Sequence, residues 1–146
     1  ITFSDKQFFG CNFMNCTFKN IHSKNLTSKL SIFDFAVFSD CKLIDSNIKN
    51  SSVAGATFFH TIFTGSELFQ TNFNGINAFQ SSFDDSNLKS STFIKSTLEN
   101  TSFRNCNIKN TNFLESKRTN VSFKMSNDKE AIIVLTEEEI KNQKNS

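Results

Sequence analysis

The side chains best suited to nucleophilic or metal chemistry are four cysteines, Cys11, Cys16, Cys41 and Cys106, and two histidines, His22 and His60. A nucleophilic thiol needs a neighbouring base or a lowered pKa, and a zinc site needs close Cys or His pairs. No such pair occurs. The histidines lie 38 residues apart, and solvated surface positions suit them better than a catalytic role. The sequence has four glycines and no phosphate-cradling loop. We therefore expect no catalytic residue, no cofactor site and no metal site, and hence no enzyme.

The elements that must hold these residues follow from a period of five. Counting from Phe3 in fives reaches 25 positions, the last being Phe123, and 21 of them are Phe, Leu, Ile or Val. Only Ser23, Ser28, Ala78 and Arg118 depart. Fourteen of the 19 phenylalanines share this register, against about a fifth by chance. Two residues earlier the chain is small, with Ser, Thr, Ala or Cys at 19 of 25 positions. All four cysteines fall there, where they act as oversized alanines. A Cys11–Cys16 bridge across a corner is the alternative.

Neither helical spacing nor strand alternation survives over this length, so the repeat points to a stacked architecture. One large and one small residue, two apart, both point inward from a short extended segment. Four segments close a square coil of about twenty residues, and coils stack at about 4.8 Å. Stepping by twenty separates four faces. The first carries Phe63, Phe83 and Phe103, and the third Phe73, Phe93 and Phe113. The second is aliphatic from the third coil onward, with Ile48, Leu68, Leu88 and Ile108. We expect an all-β helix of about six coils over residues 1–125, then a capping segment over 126–146.

Large and small exchange places at Ile21-His22-Ser23, Leu26-Thr27-Ser28 and Ile76-Asn77-Ala78. Either the swap conserves volume and keeps the coil closed, or the chain loops out over 21–30. The unbroken spacing of Phe18 and Phe33 favours the swap. Arg118 is expected to mark the end of the regular coil, since a lone charge cannot sit in a phenylalanine core. The apolar run 131–135 reads as a strand covering the last coil. Thr136 and Glu139 fit a capping box, with Leu135 and Ile140 as its staple, for a helix to about Asn142. Nothing comparable precedes Ile1 and there is no initiator Met, which suits a fragment or a processed form.

Units such as Ser81-Ser82-Phe83-Asp84-Asp85 and Ser86-Asn87-Leu88-Lys89-Ser90 resemble the pentapeptide-repeat family, whose unit is Ala-Asp/Asn-Leu-x-x. Here Ser or Thr replaces Ala, and mostly Phe replaces Leu. The resemblance covers residues 1 to about 125. It implies a right-handed quadrilateral β-helix. It also suggests one activity, protection of DNA gyrase from quinolones or peptide toxins by an acidic, DNA-shaped rod. Against that, residues 1–126 hold 13 basic and 9 acidic residues, a net of +4.

Function is then expected on the outer surface of a non-enzymatic rod that binds other proteins. One outward column reads Phe9, Lys29, Lys49, Phe69, Lys89 and Lys109. Lys29, Lys49, Lys89 and Lys109 either meet an anionic partner or form a solubilising edge, and the edge is favoured. Nucleic acid is not the expected partner. Five phenylalanines fall outside the inward register, among them Phe35, Phe59 and Phe79. Phe59 and Phe79, twenty apart, stack on neighbouring coils. With Phe35, Ile94 and Leu114 on the adjoining face, they form a candidate contact surface for an unidentified protein or a second copy in a homodimer. The bland alternative is an aromatic ladder. Reduced, inward cysteines suit the cytoplasm, although export as an effector is compatible with the sequence. No apolar run is long enough to cross a membrane.

Overall fold

The computed structural model describes residues 2–144. The chain winds as a β-solenoid of about six turns closed by a short helix. Each turn contributes four short extended segments, which pair in parallel with those twenty residues on until the last coil. The first face pairs His22 with Lys42, the second Gln7 with Thr27, and the fourth Thr17 with Val37. The third face is a chain of single bridges from Asn12 through Ile32, Ser52, Asn72, Thr92 and Asn112 to Ile132. Only the fourth face is a continuous six-stranded sheet. It is built from β1 (Thr17–Lys19), β2 (Val37–Ser39), β3 (Thr57–Phe59), β4 (Asn77–Phe79), β5 (Thr97–Glu99) and β6 (Lys117–Thr119).

The expected centres are half-buried in the first coil, at Phe3, Phe8, Phe13 and Phe18, and inside from Phe33 on, apart from Arg118, which is half-buried. From Phe58 onward the register's phenylalanines are at most 2% exposed. Rings in one column stack nearly parallel, as Phe83 on Phe103 at 4.9 Å and 2°, and Phe73 on Phe93 at 4.7 Å and 8°. Rings from the first and third faces meet edge to face, as Phe93 on Phe103 at 5.3 Å and 89°. Both arrangements suit the aromatic quadrupole. The column spacing equals the coil spacing, so a phenylalanine every twenty residues stacks without strain.

The small position does more than save space. Ser66 Oγ accepts the backbone N–H of Ser46 at 3.1 Å and donates to the carbonyl of Leu43 at 3.0 Å. Thr71, Ser86 and Ser91 donate in the same way, each to the carbonyl 23 residues back. These N–H and C=O groups face the crowded wall of the coil and would be costly to leave unpaired. That is the physical reason for Ser and Thr where the family unit has Ala.

Each corner is turned by a residue with positive φ, and these fall on every multiple of five from Asp5 to Met125. Where Cys16 N–H bonds back to Phe13 carbonyl at 3.1 Å, Asn15 at φ 60° occupies the third position of a type II turn. All four glycines of the chain, Gly10, Gly55, Gly65 and Gly75, are corner residues.

The segment 21–30 stays in the coil, with Ile21, Ser23, Leu26 and Ser28 all buried. The exchange keeps the coil closed, but Ser28 borders an apolar cavity of about 200 Å³ that reaches from the first coil to the fourth. Arg118 does not end the helix either, because β6 pairs normally with β5 and Val121 and Phe123 remain buried. Its charge is met by Glu139 from the terminal helix, Nε to Oε1 at 2.7 Å.

A 3-10 turn, Asp128–Glu130, leads into the extended cap. Only Ile132 pairs there, with Asn112, while Ala131, Ile133 and Leu135 pack on the core. The helix α1 runs over Glu137–Lys144, two residues beyond the expected end. Thr136 and Glu139 form the capping box, at 3.2 and 2.9 Å. Ile140 is exposed, and the core takes Leu135 alone of the proposed staple pair.

Candidate interaction surface

The thiols and histidines form no reactive constellation. All four cysteines are free. Cys106 is buried, donates to the carbonyl of Phe83 at 3.1 Å, and has its thiol pushed up to about 12 by burial. Burial raises Cys41 as well. Such thiols are not nucleophiles at neutral pH. Among the described residues no three His, Cys, Asp or Glu side chains come together as metal ligands would.

The outward side chains are ordered by the same twenty-residue register. Phe59 and Phe79 end β3 and β4, and their rings stack at 5.2 Å and 17°. Phe59 is 43% exposed and Phe79 half-buried. Phe35 turns the opposite corner of this face with φ 59° and is 60% exposed. Its ring lies across Gly55 on the next coil, where an added Cβ would come within 2.6 Å of Phe35 Cε1. Gly55 is needed for that close approach as well as for its own positive φ.

Ile94 and Leu114 belong to the third face, on successive coils, and are half-buried and exposed respectively. Polar rungs interrupt their column. Asp34 Oδ1 accepts from Ala54 N–H at 3.0 Å, and Asn74 Oδ1 from Ile94 N–H at 2.9 Å. The five candidate residues therefore lie on two adjoining faces and the corner between them, and the aromatic pair belongs to the six-stranded face.

Sequence reading missed the corner beside that pair. Asp40, His60 and Gln80 follow one another up the coils, with His60 Nδ1 3.1 Å from Asp40 Oδ1 and Nε2 hydrogen-bonded to Gln80 Oε1. With both ring nitrogens facing acceptors, the charged imidazolium is favoured. The Asp40 hydrogen bond raises the His60 pKa, and His60 lowers that of Asp40. Its signal was present, since all three residues occupy corner positions twenty apart.

On the second face, Lys29, Lys49 and Lys89 are half-buried and Lys109 is exposed. Lys29 sits opposite Phe9, and Lys109 Nζ lies 3.6 Å from Glu130. Such exposed pairs are worth little, so the column stays basic.

Two comparisons place the chain. Residues 56–132 match the family described as pentapeptide repeat region, and residues 36–75 match pentapeptide repeats (8 copies). No curated protein matches the sequence. Among solved structures, a trypsin-treated form of QnrB1, a plasmid-mediated fluoroquinolone resistance protein, superposes with a TM-score of 0.69 at 14% identity. The match covers 88% of this chain and 77% of that one. Rfr23, a pentapeptide repeat protein from the cyanobacterium Cyanothece 51142, gives 0.51 at 12% identity, over 86% and 90% of the two chains. At these identities the likeness is one of fold. The period, the inward phenylalanines, the positive-φ corners and the match over 56–132 together make this chain a member of the pentapeptide repeat family.

Proposed function

We propose that this chain is a non-enzymatic interaction rod whose fourth face receives a protein partner or a second copy through Phe59 and Phe79. The observation that carries this is the stacked, partly exposed ring pair on the one face whose strands align six deep. Two aromatic side chains held by stacking lose little rotamer freedom on binding, which is what an anchor residue requires. The Asp40–His60–Gln80 corner supplies the polar rim that such interfaces have. Lys29, Lys49, Lys89 and Lys109 project from a different face and serve as a solubilising edge.

The family resemblance brings a second reading, protection of a topoisomerase by imitation of DNA, and QnrB1, whose fold this chain shares, is a fluoroquinolone resistance protein. The charge argues against it. A rod with a lysine column and a positive repeat body attracts phosphate where a DNA mimic must replace it.

The test is the double substitution Phe59→Ser and Phe79→Ser, compared with the parent by light scattering and partner capture. The proposal expects weakened association with the β-solenoid circular dichroism retained. Unchanged oligomeric state and unchanged captured partners, with only an earlier melt, would mean that the ring pair is structural.

A further inference from the structure

The cavity in the first coils is a gap in the aromatic ladder. On the third and fourth faces the ladder is continuous there, with Phe13 stacked on Phe33 at 5.0 Å and Phe18 on Phe38 at 4.8 Å. On the first and second faces the rungs below Phe3 and Phe8 are Ser23 and Ser28, followed by Leu43 and Ile48. Ile21 and Leu26 carry the displaced bulk at the wall, so the centre stays open. Of the two serines only Ser28 lines the space, and its other lining side chains are apolar.

The two serines differ in one respect. Ser23 Oγ accepts the backbone N–H of Phe3 at 2.7 Å. Ser28 is fully buried, lines the cavity, and its Oγ has no hydrogen-bond partner. A buried hydroxyl without a partner is costly, and Ser28 is the polar lining residue of an apolar space of about 200 Å³ that has room for one. An apolar cavity of roughly 150 Å³ already suffices for benzene.

We propose that this cavity is a binding site for a small neutral monocyclic aromatic bearing one hydroxyl, a phenol. Its ring replaces the missing rung beneath Phe8, stacked or edge-on to the surrounding phenylalanines. Its hydroxyl pairs with Ser28 Oγ. The guest enters between the rings of the first coil, where Phe3, Phe8, Phe13 and Phe18 are only partly covered. No charged side chain lines the space, so phenolates and carboxylates are excluded by desolvation.

Phenol and benzene, each titrated into the full chain and followed by methyl and aromatic NMR shifts of residues around position 28, test this directly. Saturable binding of both is expected, with phenol about three- to tenfold tighter, the ratio that one added hydrogen bond supplies. Ser28→Ala should keep benzene binding and abolish the preference for phenol. Ser28→Leu should fill the gap, abolish both and raise the melting temperature. The proposal is overturned if neither probe saturates, if Ser28→Ala retains the phenol preference, or if Ser28→Leu still binds while remaining folded.

Discussion

Arg118 and Glu139 form a buried two-pronged ion pair, with Nε to Oε1 at 2.7 Å and Nη2 to Oε2 at 3.2 Å. It joins the last full coil to the terminal helix. The guanidinium also donates to Ser116 Oγ and to the carbonyl of Val134, and lies 5.9 Å from the Phe123 ring centre. Glu139 meanwhile accepts the N–H of Thr136 that starts the helix. A single carboxylate thus neutralises the core charge and caps the helix, so losing it with the lid in place strands Arg118.

Glu139→Ala should therefore cost about 3 to 5 kcal/mol, because it leaves a buried charge without its partner. Arg118→Leu combined with Glu139→Leu should recover most of that loss, since apolar replacement of both partners is often neutral. Urea denaturation of the two variants checks this. Truncation after Met125 removes the carboxylate and the core-packing residues together. It should expose apolar surface, seen as dye binding, and lower stability at least as far as Glu139→Ala does.

The corners offer a stabilising change. Leu30 has φ 54° and is 53% exposed, so it meets the left-handed penalty without a packing return. Leu30→Asn should raise stability by roughly 1 kcal/mol, as asparagine tolerates this conformation. Gly55→Ala should do the reverse, because its Cβ would collide with the Phe35 ring. Paired thermal melts of the two variants have opposite expected signs.

The His60 corner predicts a pH dependence. Its pKa is raised above 6.5, first by the Asp40 hydrogen bond and then by Gln80. The charged form is thus favoured in the folded chain. Its stabilising contribution is complete below about 6.5 and lost as pH rises through the raised native value. In Asp40→Asn the His60 proton resonance should titrate closer to 6.5, and the stability loss above that pH should shrink. Unchanged titration in that variant would remove Asp40 as the cause.

The coil was legible because its signal is local and repeated. Phe83, Phe93 and Phe103 each restate the same register, and a five-residue period admits few other folds. The corners were equally periodic, with Asn, Asp or Gly at 16 of the 25 multiples of five. They were missed because polar residues on a surface look unconstrained until φ is known. Arg118 reads as a stop in sequence because its compensating carboxylate lies 21 residues away. Ser23 and Ser28 read as a harmless exchange because residue volumes can be summed from sequence, whereas their distance from the coil axis cannot. The outward aromatics were found by register, but Phe35 over Gly55 and the Asp40–His60–Gln80 corner needed side-chain positions.

If the fourth face is the surface that binds, site-specific photocrosslinking in cells expressing the full chain will report it. A photoreactive phenylalanine replaces Phe59 or Phe79 in one pair of variants, and Lys49 or Lys89 on the second face in another. Discrete adducts, to one partner or to a second copy, are expected from positions 59 and 79 and none from 49 and 89. Adducts from the lysine column alone, or equally from all four positions, would contradict it.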